Sequence, residues 1–151
     1  MLRVTACIVS TAQSDPMHTA LLEQLYAHQA EVRSAIAEAL ALLARADAPA
    51  IAHGRLKLTR ALTAYQLFKH QRIFDWFARH GTSEEAHAAR QLKIEWIATG
   101  ETFRAFLARG IEGREAEHAR EAQGMMTLLD RHIQSERRDI EALLATEKRA
   151  A

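Results

Sequence analysis

The stretch MMTLLDRHIQSERRDIEALL, residues Met125 to Leu144, decides the fold. Met125, Leu129, Ile133, Ile140, Leu143 and Leu144 recur at helical spacing and mark one apolar face. At about 100° per residue, His132 and Glu136 fall inside the same arc, so both point where a partner helix packs. An ionised group buried without compensation costs several kcal/mol, so Glu136 needs a donor, a cation or a metal beside it.

Working outward, the same period covers most of the chain. A first helix opens at Asp15-Pro16, a capping residue followed by a proline in the first turn, and runs to about Arg45, ended by Asp47 and Pro49. Leu21, Leu25, Val32, Ile36, Leu40 and Leu43 form its core face, with His18 inside the arc and His28 on its shoulder. Ala48 to Gly54 reads as a loop or a loosely capped start. A second helix then carries Leu58, Leu62, Tyr65, Ile73, Trp76 and Phe77 to about Arg79, with His70 in its apolar sector. His80-Gly81 ends it. Thr82 or Ser83, followed by Glu84 and Glu85, starts a third helix that places Trp96 at the centre of its core face and stops at Arg109-Gly110. The last helix runs from about Arg114 to Lys148, with Gly124 as a weak point. Short turns between four long helices predict an all-α, up-down-up-down four-helix bundle over residues 17–151, preceded by a disordered tail at 1–16.

Composition narrows the function. With 20 Lys+Arg against 19 Asp+Glu the net charge is +1, and the signs are interspersed, which argues against nucleic acid as a partner. No apolar run approaches the roughly 18 to 20 residues of a membrane span. Cys7 is the single cysteine, which rules out an intramolecular disulfide and fits a cytoplasmic protein. There is no glycine loop to cradle phosphate and no nucleophile paired with an ordered base, so the chain is not expected to be an enzyme.

The inward polar residues carry the functional expectation. Neutral imidazoles and a carboxylate are ligands for iron or zinc, and an i, i+4 pair sets two of them on one helix face. His28, His70, His132 and Glu136 are the candidate metal ligands. His53, His80 and His118 read instead as loop, helix-end and polar first-turn histidines, and His87 as solvated. Phe68, Phe74, Trp76, Phe77, Trp96, Phe103 and Phe106 read as core.

His132-Ile133-Gln134-Ser135-Glu136, followed by Ile140 and Leu143-Leu144, resembles the last-helix His-x-x-x-Glu motif of the hemerythrin-like (HHE) cation-binding domains. Tyr26-Ala27-His28 leading into Val32-Arg33 resembles their first-helix histidine segment, and Phe68-Lys69-His70 leading into Ile73-Phe74 their second. The resemblance spans the chain from about Met17 and implies a bundle holding a non-haem metal centre for oxygen binding, redox or metal sensing, or repair of metal centres. The ligand set departs from the family pattern. Phe74 stands where the second helix would supply a carboxylate, and Trp96 where the third would supply histidine. Two expectations follow: a reduced site holding one cation, iron or zinc, on His28, His70, His132 and Glu136, or a metal-free regulatory or protein-interaction module that acts with a partner or as a homodimer.

Overall fold

The computed structural model describes residues 15–45 and 47–150, and every extended element among them is helical. Residues 1–14, which carry Cys7 and most of the expected tail, lie outside the described residues. Helix α1 spans Pro16–Ala44. The Asp15 carboxylate accepts the Met17 N–H at 3.0 Å, and Pro16 in the first turn has no N–H to leave unsatisfied, so the chain starts where its capping chemistry directs.

Helix α2 spans Ala48–Phe68, so of the two readings of Ala48 to Gly54, a loop or a loosely capped start, the structure has the start, and Asp47 caps it without a side-chain hydrogen bond. Proline is tolerated in a first helical turn, so Pro49 marks the start of α2 as well as the stop of α1. Gly54 is buried against α1: a Cβ there would meet Leu42 Cδ1 at 2.9 Å and the Ala39 Cα at 3.4 Å. Its missing side chain lets the two helices approach closely.

The second rod does not end with α2. A π-helical turn, Lys69–Phe74, carries it into α3, Asp75–His80. Residues four apart on an α-helix advance about 400°, overshooting a full turn by about 40° at each step. The wider turn absorbs that drift, so Tyr65, Lys69, Ile73, Phe74 and Phe77 are all buried on one side.

Thr82 and Glu85 form a reciprocal capping box at the start of α4, Ser83–Ala108, in which the Thr82 N–H donates to Glu85 Oε1 at 2.8 Å. After Gly113, whose φ of 74° suits a residue without Cβ, α5 runs unbroken through Gly124 over Glu115–Ala150. The first rod packs on the second and on α5, while α4 packs on the π turn, α3 and α5, which closes the four-helix arrangement. The core runs from Leu21 and Leu144 at one end to Phe106 and Ala122 at the other. Among the described residues no helix is long and apolar enough to cross a membrane.

Candidate functional site

Midway along the bundle each rod contributes a polar or aromatic side chain to one buried knot. The last helix supplies Glu136, 2% exposed, at the place its periodicity assigns. The second rod supplies Lys69, 0% exposed, whose Nζ lies 2.5 Å from Glu136 Oε1. Tyr65, one α-turn earlier, donates its hydroxyl to the same oxygen at 2.6 Å. From α1, Gln29 Nε2 donates to the Tyr65 hydroxyl oxygen at 3.0 Å and approaches the Ile133 carbonyl at 3.4 Å. Trp96 of α4 completes the enclosure: Lys69 Nζ lies 3.2 Å from the centroid of its ring and 3.8 Å from that of Tyr65. An ammonium has three donors and no acceptor, and here one carboxylate and two aromatic faces surround it.

Burial and pairing act in opposite directions on these groups. Full burial draws the Lys69 ammonium down from its ordinary value to about 7, against the pull of Glu136. Burial alone would raise the Glu136 carboxyl, but the Lys69 charge, with the His132 ring and the donors Lys69 and Tyr65, holds it below its ordinary range. Burial and the Glu136 charge push the Tyr65 phenol far above its own. Below about pH 7 the knot is therefore an internal ion pair, and above it an ionised carboxylate facing a neutral amine, with a phenol that stays protonated throughout.

The sequence-predicted ligands are distributed unevenly around it. His132 is close to Glu136, with Nε2 3.8 Å from Oε2, too long for a hydrogen bond, and Nδ1 3.3 Å from Thr99 Oγ1. His28 and His70 are shifted off the central position by one residue each. On α1 the buried position belongs to Gln29, while His28 is half-buried with its ring stacked on Phe68 at 4.9 Å. On the second rod it belongs to Lys69, while His70 is half-buried with its ring 5.8 Å from Phe74. Burial, with Lys69 and Lys93 nearby, holds His70 below its ordinary value.

These residues do not fit the metal centre implied by the hemerythrin-like resemblance. Among the described residues no three His, Cys, Asp or Glu side chains converge closely enough to hold a metal ion. The physical reason is the register: an ammonium from the second rod already sits on the one central carboxylate, and α1 offers an amide where an imidazole was expected. Three polar atoms of the set, His70 Nε2, His132 Nε2 and Glu136 Oε2, are buried without a hydrogen-bond partner.

Lys69 and Gln29 were missed because metal chemistry directs attention to histidine. Their spacing marked them, since Leu25, Gln29, Val32 and Ile36, and likewise Leu58, Leu62, Tyr65 and Lys69, alternate steps of four and three. His118 was misread in the other direction. It is 2% exposed, stacked on Phe106 with ring centroids 5.5 Å apart.

Compared with known proteins, the chain matches no family model, and no curated protein or solved structure is significantly similar to it.

Proposed function

We propose that the chain is a metal-independent bundle of hemerythrin-like type, a non-catalytic sensing or interaction module whose core cation is its own lysine. The observation that carries this reading is the Lys69–Glu136 contact at 2.5 Å, with side chains 0% and 2% exposed. The ammonium supplies the positive charge that a bound cation would otherwise bring to Glu136, and it is held by Trp96, which stands where a family ligand would be. A metal could enter only by displacing that ammonium from its aromatic enclosure. The knot is sealed from solvent, so its contribution is to lock four rods at one level, leaving the outer faces for recognition.

The test is metal analysis of the purified protein together with thermal melts in added Fe(II) or Zn(II). Less than about a tenth of an equivalent of metal and an unchanged Tm are expected, because a ligand that binds only the folded state must raise Tm. Stoichiometric metal, or a Tm that climbs with metal concentration, overturns the proposal. Either result would favour instead the reduced cation site expected on His28, His70, His132 and Glu136, reached by a rearrangement that brings these side chains together.

A further inference from the structure

A second buried polar group lies at the far end of the bundle, where α4 gives way to α5. There an outer cavity of about 420 Å³ opens between Leu43, Ile51, Ile111 and His118. An inner chamber of about 20 Å³ shares Leu43, Ile51 and His118 with it and reaches Arg55, Phe106 and Met126. Drug-sized ligands occupy cavities of roughly 300 to 1,000 Å³, so the outer space is of ligand size. The inner one holds a single water or a headgroup oxygen, for which about 10 to 15 Å³ suffices.

The polar atoms of this site have capacity the fold leaves unused. His118 Nε2 is buried without a hydrogen-bond partner in a residue 2% exposed, on a ring fixed against Phe106. A buried ring nitrogen without a partner costs about 1 to 3 kcal/mol, a cost that a bound acceptor or donor would remove. Burial and the neighbouring Arg55 hold His118 below its ordinary value, so the ring is neutral near pH 7 and one tautomer presents N–H at Nε2. Arg55 Nη2 donates to the Leu107 carbonyl at 2.6 Å, and its guanidinium lies 5.9 Å from the Phe106 ring centroid. One of its five N–H donors is thereby used, leaving a cation beside an apolar chamber with donors to spare.

We infer that this cavity binds a small monocarboxylic acid with a compact apolar body. One carboxylate oxygen enters the inner chamber, accepting hydrogen bonds from Arg55 and from His118 Nε2, and the apolar part fills the outer cavity between Leu43, Ile51 and Ile111. A guanidinium and a neutral imidazole select an anionic acceptor over an amine. Glu112 and Glu115, which line only the outer cavity, disfavour a second negative charge at that end of the ligand and so a dicarboxylate. The assignment stands whether or not the Lys69 knot takes a metal, because it shares no residue with it.

The experiment uses the full chain with octanoate and phenylacetate as probes, and octylamine, octanol and suberate as controls, followed by calorimetry and by the imidazole nitrogen shifts of His118. Octanoate or phenylacetate is expected to bind at least about ten-fold more tightly than the controls and to move the His118 Nε2 resonance. Arg55→Met is expected to remove that preference. Because Arg55 also supports Leu107, His118→Phe, which keeps the stack on Phe106, is the companion variant and is expected to lose at least about ten-fold in octanoate affinity while still melting cooperatively. No binding of any probe at millimolar concentration overturns the site. Equal binding of octanoate, octylamine and octanol, or unchanged octanoate affinity in a folded His118→Phe, overturns the carboxylate assignment.

Discussion

Lys69 Nζ lies 3.2 Å from the centroid of the Trp96 ring while bonded to Glu136. One side chain thus ties the second, third and fourth rods together at the centre of the bundle. Neither member of a buried ion pair is tolerable alone, because its charge or polarity is left unpaired in the core.

Lys69→Met is therefore expected to destabilise the fold by about 3 to 5 kcal/mol in urea unfolding, mostly through the stranded Glu136 carboxylate. Adding Glu136→Leu should restore most of that loss, since replacing both charges by apolar groups is often neutral. If the double variant is as unstable as the single one, the pair is not what Lys69→Met disrupts.

At Trp96 the shape and the face of the ring separate. Trp96→Leu loses core volume and the surface facing the ammonium, with about 3 to 5 kcal/mol, the cost of a Trp-to-Ala core truncation, as its upper bound. Trp96→Phe keeps an aromatic face and should cost clearly less, with cation–π contacts contributing about 2 kcal/mol when desolvated. Equal losses for the two variants would mean that the ring acts by volume alone.

The arrangement of rods was legible because its signals are local. Asp15, Pro16, Thr82 and Glu85 fix helix starts by chemistry within a turn, and Glu136 announced a buried carboxylate that had to have a counterpart. The counterpart was obscured by the π turn. Seen on a regular helix, His70 sits among Phe74 and Phe77, whereas the wider turn gives the inward place to Lys69. A lysine in an amphipathic helix reads as a solvated residue, and only the contacts from two other rods, through Trp96 and Glu136, show it to be buried. His118 was hidden in the same way by Glu117 and Arg120, although its steps of four to Ala122 and Met126 place it on the core face.

The ion pair also gives the protein a pH dependence in the alkaline range. The folded Lys69 titrates near about 7 against an ordinary 10.5, so between these values the unfolded chain binds more protons and stability rises with pH. Tyr65 closes the window from above. Its folded pKa is raised beyond the ordinary 10.0, so the stability it contributes is present below that value and lost as the unfolded phenol ionises. Glu136, held below its ordinary range, is ionised throughout this window and adds no slope. Tm should therefore climb from neutral pH toward about 10 and then fall. In Lys69→Met/Glu136→Leu the climb should vanish; a climb that survives there belongs to other groups.

The π turn makes a prediction about chain length. From Leu62 to Lys69 the second rod follows steps of three and four, and of the next core residues, Ile73, Phe74 and Phe77, the row through Ile73 and Phe77 comes at steps of four and four. Deleting the exposed Gln71 shortens the first of these to three and restores the alternation, so an ordinary α turn would keep both Lys69 and Phe77 in the core. The shortened protein is expected to retain its far-UV helicity and to unfold cooperatively within about 1 to 2 kcal/mol of the parent, the range of an ordinary substitution. Deleting the exposed Thr63, in the regular part of α2, rotates Leu58 and Leu62 by about 100° relative to Tyr65 and Lys69. That should cost more than about 3 kcal/mol, since two core side chains at about 1.5 to 3 kcal/mol each lose their burial. Equal damage from the two deletions would show that the π turn is not what compensates the extra residue.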